Sequence, residues 1–311
     1  MPIIKDHTSK FLFNNAWAQT ILSNYLIFPS IDYKRERHFL PDQDFMDVDY
    51  LTDNTSDKVV LLVHGFEGSS KSNYIKSIAK YLFKYGFNVA AVNLRGCSGH
   101  DNLLPYAYHS GKTEDIKHIV DLLKKDYENI FLVGFSLGAN LVLKYLADYN
   151  TQSHIKKAVA ISAPFDLHLS ALKIIKNKII NQHFLKSLKK KLYNKKELFP
   201  KHLGHINVKN ICNIIDVDEC YTAPLHGFSC ATAYYKYASC IHHIYKITTE
   251  CLIINAEDDP LLEHPENIED TFLNSNHVHL IMTRYGGHVG FLTRDLQIYY
   301  HRKTLDFFIK Q

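Results

Sequence analysis

Along this chain, short continuous apolar runs alternate with longer segments whose apolar residues recur at helical spacing. The runs are Val59-Val60-Leu61-Leu62-Val63, residues 87–94, Ile130-Phe131-Leu132-Val133, Ala158-Val159-Ala160-Ile161, residues 251–256 and residues 278–282. Such runs are expected of strands covered on both faces. Between them, residues 73–85 place Ile75, Ile78, Ala79, Leu82 and Phe83 on one helical face, and Gly86 stops the helix. Residues 113–125 predict a second helix, with Thr113 as N-cap and Glu114 and Asp115 in its first turn. A third is expected over 264–274. Strands alternating with helices build βαβ units, so the pattern predicts an α/β fold with a mainly parallel central sheet flanked by helices. Residues 36–52 differ, because 44–51 alternates apolar and polar positions as an antiparallel edge hairpin does, and 53–57 reads as a polar turn.

After Pro164 the alternation stops and resumes only at Cys251. Residues 165–250 carry an apolar stripe of Leu169, Leu172, Ile175, Ile179, Leu185, Leu188 and Leu192. Lys186, Lys189, Lys190, Lys191, Lys195 and Lys196 crowd the other side. This block predicts an inserted helical lid within a single domain spanning 1–311. The lysines read as a solvated helix face, with peripheral contact to an anionic membrane as the alternative.

Composition narrows the class. With 311 residues, 46% of them hydrophobic and 22% charged, the chain can bury one large core. A net charge of +4 with no concentrated basic face excludes a nucleic-acid binder. The six cysteines form no C-x-x-C pair and the chain is too large to need a disulfide framework, so reduced thiols in a cytoplasmic protein are expected. No signal-peptide pattern and no apolar run of about 18 residues appear, so no membrane span is expected. Nothing in the pattern fixes an oligomeric state.

Candidate chemistry centres on Gly134-Phe135-Ser136-Leu137-Gly138, which follows an apolar run and opens a helical pattern. In a G-x-S-x-G elbow the serine sits on a strained strand-to-helix turn that exposes its hydroxyl, and glycines let strand and helix come close. Ser136 is the candidate nucleophile. His64-Gly65-Phe66-Glu67-Gly68 also follows a strand; a P-loop is excluded there because Ser70, not Gly, precedes Lys71. The remaining reading is an H-G-x-x-G oxyanion loop, with the main-chain N–H groups of Phe66 and Leu137 as donors. Two later strands end in Asp258-Asp259-Pro260 and in Gly286-Gly287-His288. Chain order is then Ser136, Asp259, His288, with the histidine as base and the carboxylate fixing its tautomer. Asp259 is preferred over Asp258 as the acid because it directly precedes Pro260, and Asp258 is expected to hydrogen-bond loop amides or to arrange nearby water. This chemistry needs no metal or cofactor. A catalytically silent scaffold that binds a ligand in the same pocket is the competing class.

These residues belong to longer stretches that carry a resemblance. They are Ala18-Gln19-Thr20-Ile21, His64 to Gly68, Asn93-Leu94-Arg95-Gly96-Cys97-Ser98-Gly99, Tyr108 to Asp115, Gly134 to Asn140, Thr222-Ala223-Pro224-Leu225-His226-Gly227-Phe228, Asn255 to Pro260 and Gly286 to Phe291. Together they resemble the YheT-like subfamily of α/β-hydrolases, relatives of eukaryotic alpha/beta-hydrolase-domain lipid esterases. The resemblance implies a serine carboxylic-ester hydrolase acting on short to medium acyl chains or lipid esters. Residues 211–216, where relatives tend to carry phenylalanine and paired aspartates, and the unusually basic lid depart from the subfamily pattern. Both departures bear on substrate choice. Leu225 and Phe228, beside Thr222, are the expected acyl contacts.

Overall fold

The computed structural model describes residues 3–6, 10–26, 30–53, 55–149, 153–266, 268–273 and 275–310. Among the described residues, nine strands form one sheet: β1 (Ile3–Asp6), β2 (Lys34–Phe39), β3 (Phe45–Leu51), β4 (Lys58–Val63), β5 (Asn88–Asn93), β6 (Asn129–Phe135), β7 (Ile155–Ile161), β8 (Glu250–Ala256) and β9 (Val278–Thr283). Their order is β1-β9-β8-β7-β6-β4-β5-β3-β2. Only β2 with β3 and β3 with β5 pair antiparallel, so the polar-alternating hairpin closes one edge of a parallel sheet.

The continuous apolar runs are buried on both faces. On β4, Val59, Leu61 and Val63 join one core layer and Val60 and Leu62 the other, as the two-residue period of a strand requires. The first layer is covered by α3 (Thr113–Leu123) and α4 (Leu137–Asp148), through Ile116, Ile119, Val120, Val142 and Tyr145. The second is covered by α2 (Asn73–Lys84) and a C-terminal helix, Tyr299–Ile309, through Ile75, Ile78, Leu82, Leu305 and Phe308. Each fully buried leucine or valine here contributes roughly 1.5 to 3 kcal/mol.

Some expected details change. Lys112, not Thr113, stands at the N-cap position of α3 and makes no side-chain cap; Thr113 lies inside the helix, its hydroxyl donating to Asp148 Oδ2 at 2.8 Å. The helix expected over 264–274 spans Ile268–Leu273, and residues 267 and 274 of that expectation lie outside the described residues, as does residue 54 of the polar turn. The pattern gave no expectation for β1, for α1 (Ala16–Leu26) or for the C-terminal helix.

Between β7 and β8 the chain is helical. Helices α5 (Leu167–Lys176) and α6 (Lys178–Leu198) are separated by Asn177, whose extended backbone breaks the helix and whose side chain caps α6 by accepting from Ile180 N–H at 3.2 Å. Short turns lead on to a helix at Ala231–Ala238. The insert has small apolar clusters of its own, one of Leu167, Ala171, Ile214 and Tyr234, another of Leu185, Leu192, Leu203 and Val208. The lysines of α6 do not share one solvated face. Lys186 and Lys190 are exposed, but Lys195 is only 4% exposed, with Nζ donating to the carbonyls of Asn102 at 2.8 Å and Leu104 at 2.6 Å. No helix among the described residues is long and apolar enough to cross a membrane.

Candidate active site

The turn from β6 into α4 sets the site. Ser136 has φ 53° and ψ −123°, a conformation that a side chain adopts only under constraint, and it lifts the hydroxyl above the sheet's carboxyl edge. Both flanking glycines are demanded by contact. A Cβ on Gly134 would lie 2.4 Å from Gly138 O, and one on Gly138 would lie 2.4 Å from the carbonyl oxygens of Val63 and His64.

His288 arrives on the loop after β9 and Asp259 on the loop after β8. The His288 Nδ1–H donates to Asp259 Oδ2 at 2.8 Å, which leaves Nε2 to accept from Ser136 Oγ at 2.8 Å. Asp259 is 2% exposed, and its other oxygen accepts from Leu261 N–H at 2.8 Å and Leu262 N–H at 3.2 Å. Three donors thus hold the carboxylate in a water-poor setting. Its neighbour turns the other way: Asp258 Oδ1 accepts from Gly287 N–H at 2.9 Å, and burial pushes this carboxyl above its ordinary range.

Among the described residues, the main-chain N–H groups of Phe66 and Leu137 meet no acceptor. Leu137 opens α4, where the first N–H groups lack an intrahelical partner and the helix dipole favours negative charge. The Phe66 loop is held from behind by His64, fully buried between Gly65 O, bound by Nδ1–H at 2.7 Å, and Leu94 N–H, which donates to Nε2 at 3.1 Å. Burial keeps this imidazole neutral, its pKa lowered to about 4. Tyr74 Oη accepts from Gly65 N–H at 3.0 Å.

A cavity of about 160 Å³ opens beside Ser136 and His288, walled on the insert side by Leu167, Ala171, Ile174, Phe184, Leu188 and Ile214. Its lining also includes Phe66, Leu137 and one acid of the insert, Asp218, which accepts from Tyr235 Oη at 2.6 Å and whose pKa burial raises to about 6. Among the described residues, no group of three or more His, Cys, Asp or Glu is placed to hold a metal ion.

A family model described as the alpha/beta hydrolase fold matches residues 58–202, from β4 past the end of the insert's long helix α6. YheT of Escherichia coli, a provisionally designated esterase, is 31% identical over 271 residues, covering 83% of this chain and 78% of YheT. The chain belongs to the YheT-like α/β-hydrolases. A monoacylglycerol lipase of Saccharomyces cerevisiae is 30% identical over 257 residues, covering 77% of this chain but only 56% of the lipase. The esterase Pf2001 of Pyrococcus furiosus superposes with a TM-score of 0.58 over 89% of this chain and 91% of its own; at 19% identity it shows the shared fold alone.

In this YheT-like chain, Ser136, His288 and Asp259 come together and Phe66 and Leu137 flank them, but Leu225 and Phe228 do not reach the cavity wall. Leu225 packs into the cluster around Leu192 and Leu203, and the Phe228 ring lies behind Tyr234 at 5.6 Å, so Tyr234, with Tyr221 and Thr222, fronts the cavity instead. Sequence reasoning also missed the supports of the histidine loop. The Thr20 hydroxyl accepts from His288 N–H at 2.8 Å, Ser162 Oγ accepts from Val289 N–H at 3.0 Å, and Gln19 bonds both main-chain groups of Leu292. The Ala18-Gln19-Thr20-Ile21 stretch signalled Gln19 and Thr20, as membership of a subfamily rather than a role, and nothing signalled Ser162.

Proposed function

We propose that this chain is a serine hydrolase that cleaves carboxylic esters through an acyl-enzyme intermediate. Ser136 Oγ attacks the ester carbonyl while His288 Nε2 takes its proton, and Asp259 holds the imidazole tautomer and stabilises the cation. The carbonyl oxygen, now negative, is received by the N–H groups of Phe66 and Leu137. His288 then returns the proton to the departing alcohol, and water repeats the sequence to release the acid. The observation that carries this reading is the unbroken hydrogen-bonded line Asp259–His288–Ser136, 2.8 Å at each step, opening on an apolar cavity.

The cavity supports esters of short to medium acyl chains or lipid esters, a class that includes the substrate named for the yeast relative. The helical insert serves as a lid over it. Six free thiols support a cytoplasmic setting. A fluorophosphonate probe should label the wild type and not Ser136→Ala, and that variant should lose on the order of 10⁶-fold in kcat. A panel of p-nitrophenyl esters from acetate to palmitate then fixes the acyl length. A wild type that takes no label and hydrolyses none of them, yet retains a ligand in this cavity, would make the chain a binding scaffold.

A further inference from the structure

Helix α6 grips the loop that carries Phe66. Phe184, Ser187 and Lys191 lie three and four residues apart and so share one face of that helix. The Phe184 ring packs edge-on against Phe66 with centroids 5.3 Å apart. One turn on, the Ser187 hydroxyl donates to Glu67 Oε2 at 2.8 Å, and Lys191 Nζ donates to Glu67 Oε1 at 2.9 Å. Tyr108 closes the ring from the core side: its hydroxyl accepts from Glu67 N–H at 2.9 Å and donates to Glu67 Oε1 at 3.1 Å. The Glu67 side chain is 10% exposed and that of Lys191 35%. Water therefore screens this pair less than it would a surface pair.

The gripped residue is also a strained one. Glu67 has φ 55°, in the left-handed region that is strained for a non-glycine residue, so the loop keeps this shape only while contacts over-determine it. Phe66, whose N–H faces no acceptor among the described residues, is its immediate neighbour. The geometry points to Ser187 and Lys191 as positioning residues: by clamping Glu67 they hold the Phe66 N–H toward the acyl oxygen, so that docking of the insert and completion of the oxyanion hole are one event. This inference rests on the ester-hydrolase reading, and it assigns to two side chains of the basic helix a task in the chemical step.

A purely structural tie between insert and core would weaken stability or substrate binding; a positioning role weakens the step in which charge develops. In Lys191→Met and Glu67→Gln, kcat on a short-chain ester should fall about 10- to 100-fold while KM stays within about threefold. The double variant should be no worse than the worse single one, since both break the same contact. Ser187→Ala removes one hydrogen bond from a helix surface and carries the test where Lys191→Met fails to fold. Amide hydrogen exchange of the 64–70 segment gives a readout independent of turnover: it should quicken at least tenfold in these variants while β6 stays protected. Unchanged exchange, or a raised KM at wild-type kcat, would overturn the clamp. A wild type that neither hydrolyses esters nor takes the fluorophosphonate defeats the hydrolase reading itself, and with it the oxyanion role, whatever the exchange shows.

Discussion

Two adjacent carboxylates, Asp258 and Asp259, show how one residue's orientation decides its chemistry. Successive side chains at a strand's end point to opposite sides, so only one of them faces His288. Asp259 does, with its second oxygen tied to Leu261 and Leu262 N–H; Asp258 instead accepts from Gly287 N–H and leaves its Oδ2 buried without a partner among the described residues. Asp259→Asn removes the acceptor that fixes the imidazole tautomer and should lower kcat about 10⁴-fold, judging by the chymotrypsin triad. Asp258→Asn retains an acceptor for Gly287 and should cost less than about tenfold. Kinetics of both variants at pH 7 on a short-chain ester decide between them. A near-normal Asp259→Asn beside an inactive Asp258→Asn would reverse the assignment.

At the scale of elements, the strand–elbow–helix unit is held by close backbone approach, and this gives a prediction with its own control. A Cβ on Gly138 would meet the main-chain carbonyls of Val63 and His64, at the end of β4, at 2.4 Å, atoms that cannot swing aside, so Gly138→Ala should destabilise by about 3 kcal/mol and reduce labelling of Ser136. Gly86→Ala, at φ 82° with nothing within 4 Å of the added carbon, meets strain without collision and should cost about 1 kcal/mol with activity kept. Urea unfolding of the two variants compares collision with strain, and equal losses would refute the packing argument. The same unit explains what could be read in advance. Runs such as 59–63 and 130–133 are buried on both faces, so hydropathy gave the parallel core, and the Gly134–Gly138 motif set between such a run and a helical pattern gave the elbow. β1 was illegible because it is four residues long, half exposed and paired only with β9. Inside the insert, side-chain direction on α6 depends on what packs against it, so Lys191 and Lys195 read as solvent-facing. The line Ser136, Asp259, His288 could be read from chain order, whereas Thr20 reaches His288 across 268 residues, a distance that no spacing rule spans.

The whole molecule has a pH response set by its buried histidines. Burial lowers the pKa of His64 and His226 from 6.5 to about 4 and that of His301 to about 3, and it holds His109 well below its ordinary value. His38, His243 and His264 shift the same way. His64, His109, His226 and His301 thus stay neutral in the fold over a pH range below about 6.5 in which the unfolded chain is already protonated. The unfolded state then binds more protons, so stability is fully present above pH 6.5 and is lost as pH falls toward 4, at about 1.4 kcal/mol per pH unit for each such proton. Asp115, Asp218 and Asp258 oppose this, since burial raises their pKa values and the native state takes up protons on them. They are fewer, and Asp218, raised to about 6, acts only below that pH, so the histidines prevail. Stability measured by urea unfolding should therefore hold between pH 7.5 and 6.5 and drop from there through 6.0 to 5.0. His301 offers the sharpest test, because its Nε2 has no partner among the described residues and its ring stacks on Tyr81 at 4.9 Å, a contact that a phenylalanine can keep. His301→Phe should lessen the dependence of stability on pH by about one proton below pH 6. A slope unchanged in that variant would show that His301 is not among the groups that set the acid response.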